Sequence, residues 1–333
     1  KLGYSTHAVH NNEATFYGRN TVFSNIGFDT FCSMEYMNGL TDSPNGWSND
    51  DVLSREIMKT LDSTSGPDFT MAITVQSHGK YDGIALDDPT IKVTGAPEGK
   101  EQAYEYYVNE IHEVDRMIDT LIKELSNRKE ETVLVLYGDH LPSLDIQKDD
   151  LSNANLYQTQ YVVWDNMNLK KKTKNLHAYQ LYAEVLDRIQ IHEGMITKYH
   201  QQTKHRSKLY LTGLTTLSYD LLYGDNYAYD GKNPFKQTEL QMGTEPVKLT
   251  SVQKTKSGYR VVGSGFTPYC KVYYDGTLVE SEWISSECLQ LQDEFELDEA
   301  DKKDSGEPET EVTEPRDVPN AFVVEVQSDD GVV

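Results

Sequence analysis

Over roughly the first 235 residues, short apolar strands alternate with amphipathic helices, and no other feature constrains the fold of this chain as much. Phe69 to Val75 and Thr132 to Tyr137 are near-continuous apolar runs, the pattern of strands in a sheet covered on both faces. Tyr161 to Trp164 is a shorter third. Between the first two, a helix is expected from about 101 to 126. Tyr107, Ile111, Val114, Ile118, Ile122 and Leu125 recur there at three- and four-residue steps and would face the sheet. A second helix is expected from about 178 to 191, with Tyr182, Val185, Leu186 and Ile189 inward. Such alternation indicates an α/β layered domain over residues 1–235.

From about Thr244 the helical period stops. Lys248 to Val252, Tyr259 to Val262 and Lys271 to Tyr274 read as short strands, and Asp275-Gly276 is a hairpin turn signal. Residues 244–333 are therefore expected to form a small all-β sandwich. Within it, residues 293–317 are rich in Glu, Asp and Pro and read as a disordered insertion, with a closing strand over Ala321 to Val326.

The formal net charge of −23 disfavours nucleic acid, and free anionic membrane, as partners. There are three cysteines, Cys32, Cys270 and Cys288, and no CxxC pair, which argues against structural zinc. Cys270 and Cys288 fall in the same late segment and could pair, or could be two buried thiols. No apolar run is long enough for a membrane span. The chain opens at Lys1-Leu2-Gly3-Tyr4 without an initiator Met and is expected to be a piece of a longer protein.

The candidate chemistry lies where strands end. The strand at 132–137 runs into Gly138-Asp139-His140, and the strand at 69–75 into Gln76-Ser77-His78-Gly79. In open α/β sheets ligands bind outside the carboxyl ends of the strands. A short strand near Thr6 would deliver His10 to the same edge. Where a chain turns past a strand end, the side chains of Asp139 and His140 can converge on one ion, and a carboxylate with an imidazole suits Mn²⁺, Zn²⁺ or Mg²⁺. A helix-capping Asp beside a surface His would leave the same trace; the strand-end setting favours the metal. His78 could protonate a leaving group, or be a loop histidine bonded to backbone. His10 and Arg19 could hold an anionic head group, Arg19 through paired N–H donors, or be a surface pair. Tyr17 could wall the site or belong to the core. His112, His192, His200 and His205 lie among charged or polar residues and are expected on the solvated surface. Lys170, Lys171, Lys172 and Lys174 form a basic run, either a solvated loop or a lipid-head-group contact.

Three segments together carry a family resemblance. Gly3-Tyr4-Ser5-Thr6 with His10, Phe16-Tyr17-Gly18-Arg19-Asn20 and Gly27-Phe28-Asp29-Thr30-Phe31 form the first; Ser77-His78-Gly79-Lys80-Tyr81-Asp82 the second; Tyr137-Gly138-Asp139-His140-Leu141-Pro142-Ser143 the third. In order and spacing they resemble lipoteichoic acid synthases, phosphoglycerol transferases of the sulfatase and alkaline phosphatase superfamily. The resemblance covers about residues 1–235. It implies a partial α/β/α sandwich of the alkaline phosphatase/sulfatase type, lacking its N-terminal part.

It also implies a single Mn²⁺ or Mg²⁺ held by Asp139 and His140. His10, Tyr17, Arg19 and His78 would line the substrate pocket, and His78 would serve in catalysis. Tyr17 stands where many members carry Trp, Gly18 where many carry Asn, and Asn11 replaces the usual Gly. The implied substrate is a phosphatidylglycerol-like lipid or another phosphate or sulfate ester, and the implied acceptor a growing envelope polymer. The nucleophilic Thr, a further acidic ligand and the anchoring helices would lie upstream, placing the domain on the outer face of a bacterial, Gram-positive-type membrane. A sulfatase or phosphodiesterase, or a non-catalytic envelope-binding protein, would share these motifs. The late segment, with Val261 to Thr267 and Lys271 to Gly276, is similar to an immunoglobulin-like IPT/TIG module.

Overall fold

The computed structural model describes residues 2–205, 207–292, 322–328 and 331–333. Its elements run β1 (Ser5–His10), α1 (Arg19–Ile26), β2 (Thr30–Cys32), α2 (Val52–Asp62), β3 (Asp68–Ile73), α3 (Glu101–Asn127), β4 (Val133–Tyr137) and β5 (Tyr161–Asp165). Three helices follow, α4 (Ala178–Arg188), α5 (Met195–Gln202) and α6 (Tyr210–Leu222). The remaining strands are β6 (Gln241–Met242), β7 (Lys248–Thr255), β8 (Gly258–Ser264), β9 (Cys270–Tyr274), β10 (Thr277–Val279), β11 (Ser281–Ser285), β12 (Cys288–Leu291), β13 (Phe322–Ser328) and β14 (Gly331–Val332). The chain divides into two compact units, one of residues 1–127, 138–160 and 237–333, the other of 128–137 and 161–236.

The first unit is built on a parallel sheet of order β3-β1-β2-β6. β1 is central, so Ala8 and Val9 are almost wholly buried, and Ala8 packs with Phe23, Phe28 and Phe31. The two ring pairs Phe23–Phe28 and Phe23–Phe31 meet edge-on at 5.2 and 4.8 Å, and each such buried ring stabilises the fold by about 2–3 kcal/mol. α1 stops at Gly27, which takes the left-handed conformation (φ 96°) and bonds back to the carbonyls of Phe23 and Ser24. His7, buried between neighbouring strands, is satisfied from both sides: Nδ1 meets Thr30 Oγ1 at 2.8 Å and Nε2 meets Asp68 Oδ1 at 3.1 Å. It is a structural histidine.

Two antiparallel four-stranded sheets, β10-β9-β13-β14 and β11-β12-β8-β7, complete this unit. Their inner residues, among them Val261, Phe266, Val272, Leu289, Leu291 and Phe322, form one core, so the late segment is a β-sandwich. It is joined to the parallel-sheet part through the turn at Met34–Tyr36: Thr267 Oγ1 donates to the Glu35 carbonyl at 2.6 Å, and Tyr36 packs on the sandwich core. The acidic stretch 293–317 lies outside the described residues.

In the second unit, β4 and β5 pair antiparallel as a two-stranded sheet, with Val135 opposite Val163. α4, α5 and α6 pack in sequence, α4 on α5 and α5 on α6.

Several expectations need correction. β4 is not in one sheet with β3, and neither is buried on both faces: β4 is half-exposed along its length and Phe69 of β3 is exposed. Each lies at the edge of its sheet, with no second strand beside it among the described residues. The inward face of α3 is rotated from the expected stripe. Ala103, Tyr106, Asn109, Glu110, Met117, Leu121 and Leu125 are buried while Ile111 is exposed, and the buried Asn109 amide is held by the backbone of Ile91. In α4, Gln180 and Ala183 are buried and Tyr182 is exposed. His200 is not on the surface: it is buried, with Nδ1 2.6 Å from the Tyr210 hydroxyl, which also accepts from Gln180 Nε2 at 3.0 Å. All three cysteines are free thiols, Cys32 and Cys270 buried and Cys288 half-buried, so Cys270 and Cys288 do not pair.

Candidate functional site

β1 ends on His10, which sits beside Ile73 at the end of β3. The ring is 2% exposed, and Nδ1 lies 2.8 Å from the Ile73 carbonyl. A carbonyl only accepts, so Nδ1 carries the proton and Nε2 is a bare lone pair. That Nε2 is buried with no hydrogen-bond partner among the described residues. Burial, and then the positive charge of Arg19, push the His10 pKa down to about 4, against the Ile73 bond, so the ring is neutral. Buried polar atoms are nearly always paired, so an orphaned lone pair at a strand end marks a place for a ligand.

Arg19 opens α1, after Tyr17 and Gly18, both in left-handed conformation. Its guanidinium rests on the rings of Phe16 and Tyr17, at 5.0 and 5.7 Å, and Nη1 donates to the Glu13 carbonyl at 3.2 Å. Burial draws its pKa down from the usual arginine value, an effect that an anion would offset. Tyr17 is 85% exposed, so it is no core residue.

Asp50 underlies the site and is wholly buried. Its Oδ1 accepts from Asn11 Nδ2 at 2.8 Å, Val75 N–H at 2.9 Å and Gln76 N–H at 3.3 Å, while Gln76 Oε1 accepts the Asp50 N–H at 2.8 Å. One carboxylate thus fixes the residue after His10 and the strand exit leading to His78. Burial raises the pKa of Asp50, and that of Glu110 behind it, with hydrogen bonds opposing in both. Nothing in the sequence around Asp50 sets it apart from a turn residue ahead of α2. Asn11, which departs from the resemblance, has its physical role here.

His78 is exposed, with Nδ1 2.8 Å from the Gly79 carbonyl and its ring edge-on to Trp47 at 4.9 Å. Trp47 Nε1 donates to the Gly79 carbonyl at 3.1 Å, and Asn45 Nδ2 to the His78 carbonyl at 3.1 Å, so two side chains pin this loop. Gly79 is needed because a Cβ there would collide with Ser143 Oγ. Tyr81 bonds the Ser77 carbonyl at 2.9 Å and packs with Leu144. The second and third motif segments are therefore brought together through Gly79, Tyr81, Ser143 and Leu144.

Asp139 and His140 lie on that third segment. His140 Nδ1 meets the Leu141 carbonyl at 2.8 Å, which leaves Nε2 as the lone pair, 3.4 Å from Asp139 Oδ2. Both side chains are open to solvent. Their free donor atoms thus converge, and the donor set fits two positions of a divalent-ion site. Among the described residues no group of three or more His, Cys, Asp or Glu is arranged to hold a metal, so this pair would need further ligands.

The sequence pattern of the Sulfatase family matches residues 1–191. A putative cyclic beta-1,2-glucan modification protein of Rhizobium meliloti (strain 1021) is 31% identical over 188 residues, 51% of this chain and 29% of that protein. Lipoteichoic acid synthase 2 of Bacillus subtilis (strain 168) is 23% identical over 186 residues, 54% of this chain and 28% of that protein. Among solved structures, the phosphoglycerol transferase GacH of Streptococcus pyogenes, in complex with sn-glycerol-1-phosphate, is similar in fold with a TM-score of 0.54 at 18% identity. That likeness covers 71% of this chain and 65% of GacH. The chain belongs to the Sulfatase family and has an α/β fold similar to that of GacH. It spans under a third of the length of the two curated relatives.

Proposed function

We propose that this chain carries the head-group side of a metal-dependent phosphoglycerol transferase that acts on phosphatidylglycerol-type lipids for synthesis of a cell-envelope glycerol-phosphate polymer. The observation that carries this reading is the buried His10 Nε2, a bare lone pair under the influence of the Arg19 cation. A lone pair accepts a hydrogen bond from a hydroxyl, and a guanidinium takes phosphoryl oxygens through paired donors. A glycerol-phosphate group offers both hydroxyl and anion. A bare sulfuryl group offers only acceptors and would leave His10 unsatisfied. The names of the relatives, one for lipoteichoic acid synthesis and one for glucan modification, support a transfer reaction and leave a carbohydrate acceptor as the second reading.

In this account His10 accepts from a head-group hydroxyl and Arg19 offsets charge on the phosphoryl oxygens, with Tyr17 as an exposed aromatic wall. His78, protonated at Nε2, would donate to the leaving diacylglycerol oxygen, its Nδ1 being committed to the Gly79 carbonyl. Asp139 and His140 would hold a single Mn²⁺ or Mg²⁺, which would supply Lewis-acid neutralisation of phosphoryl charge. The nucleophile, expected to be Thr, and the remaining ligands are expected from the longer protein. On this reading that protein works at the outer face of a bacterial membrane.

The test is release of diacylglycerol from fluorescent phosphatidylglycerol by the longer protein, beside an aryl sulfate ester, with and without Asp139→Ala/His140→Ala. Release from the lipid alone, lost in the double variant together with bound Mn²⁺, is the expected result. Turnover of the sulfate ester in its place would make the protein a sulfatase, and absence of both metal and turnover would favour an envelope-binding protein.

A further inference from the structure

The overall charge hides an asymmetry. The second unit, residues 128–137 and 161–236, holds thirteen Lys and Arg against nine Asp and Glu, a surplus of four positive charges in a chain of net −23. Net charge therefore does not speak against an anionic surface at this part of the chain, where the balance is positive.

The same unit carries an apolar helix face left exposed among the described residues. α6 has one charged residue in thirteen, Asp220, and its carboxylate is spent on the N–H groups of Tyr227 and Ala228, at 3.0 and 2.9 Å. Leu211, Tyr219, Leu222 and Tyr223 are 59, 64, 72 and 78% exposed, and Leu209, one residue ahead of the helix, is 74% exposed. At 100° per residue these four fall within one arc of about 120°, shared only with exposed threonines 212 and 215. Soluble monomers rarely present a contiguous leucine and tyrosine face to water, and such a face marks an interaction site.

We propose that this face of α6, with Lys204 and Lys208 ahead of it, is a docking surface for an anionic lipid bilayer. Leucines would enter the acyl boundary, and tyrosines, apolar in body and polar at the tip, suit the head-group level. Lys204 and Lys208 are exposed and precede the helix, Lys198 of the adjoining α5 is exposed as well, and the exposed run Lys170, Lys171 and Lys172 belongs to the same unit. An anionic bilayer uses both the leucines and the basic surplus at one surface; a second copy, acidic outside this unit, is the rival that the test below separates from it. The proposal does not depend on the transfer chemistry.

Co-sedimentation of the 333-residue chain with vesicles of pure phosphatidylcholine, and of phosphatidylcholine with one third phosphatidylglycerol, tests it. Binding is expected to the anionic vesicles, falling with salt. Each lysine near an anionic surface is worth about fivefold in partition, so Lys204→Gln/Lys208→Gln should bind about 25-fold less. Leu211→Glu/Leu222→Glu should lose at least tenfold with an unchanged circular dichroism spectrum, as both side chains are already in solvent. Equal binding to both vesicle types, no loss in the leucine variant, or self-association without lipid that this variant abolishes would each overturn the proposal, the last in favour of a second copy.

Discussion

Protonating His10 should destabilise the first unit, and the effect has a definite sign and window. Its pKa falls from 6.5 unfolded to about 4 folded, through burial first and Arg19 second. Between those values the unfolded chain binds a proton that the folded chain refuses. The stabilisation is therefore fully present above about pH 6.5 and is lost as pH falls toward 4. Integrated over that window the loss is about 3 kcal/mol, of which about 2.5 kcal/mol is gone by pH 4.5. His10→Gln keeps a donor for the Ile73 carbonyl and removes the titration. Urea unfolding of both proteins at pH 7.0, 6.0, 5.0 and 4.5 isolates the term, because the carboxylates they share cancel in the difference. The wild-type chain should lose about 2.5 kcal/mol more than the variant across that range. Parallel loss in the two proteins, or an imidazole seen by NMR to titrate near 6.5, would refute the assignment of a neutral, Nδ1-protonated ring.

Asp50→Ala should cost about 3–5 kcal/mol, since it strands two backbone N–H groups and the Asn11 amide in the interior, and chemical denaturation measures it. Asp50→Asn, which keeps one acceptor oxygen, should cost less than Asp50→Ala; equal costs would mean that the carboxylate oxygen does not organise the strand exits. In alkylation at pH 8, Cys288 should react first: burial pushes Cys32 up to about 12 and raises Cys270, and both should label only on unfolding. Gly79→Val should disturb the loop bearing His78 through Ser143, and Ser143→Ala should partly restore it, read as proteolytic sensitivity of residues 77–82.

Much of this was legible in the sequence, and the failures share a cause. The short runs read as strands in the late segment coincide with β7, β8, β9 and β13, and the segment ending at His10 is a strand as expected. Hydrophobic periodicity mis-phased α3 because it assumes apolar residues inside. Asn109 is buried there instead, its amide clasping both backbone groups of Ile91 at 2.9 Å, and Ile111 turns out to solvent. His200 was misplaced for the same reason: charged neighbours in sequence say nothing of a tyrosine hydroxyl ten residues on. Motif spacing singled out His10, His78, Asp139 and His140 as candidates. It could not reveal Asp50, whose role depends on three groups far from it in the chain. Nor could it show that the motifs at 77–82 and 138–143 meet through Gly79 and Ser143 rather than through a common sheet.

The central claim is that His10 and Arg19 hold a glycerol-phosphate head group, and calorimetric titration of this chain with sn-glycerol-1-phosphate tests it most directly. Arg19→Gln should weaken binding about 10- to 100-fold, the worth of a charge-assisted pair, His10→Ala should weaken it about fivefold or more, and inorganic sulfate should bind less tightly than the glycerol ester. Binding unaffected by either substitution, or sulfate bound as well as glycerol phosphate, would contradict the account.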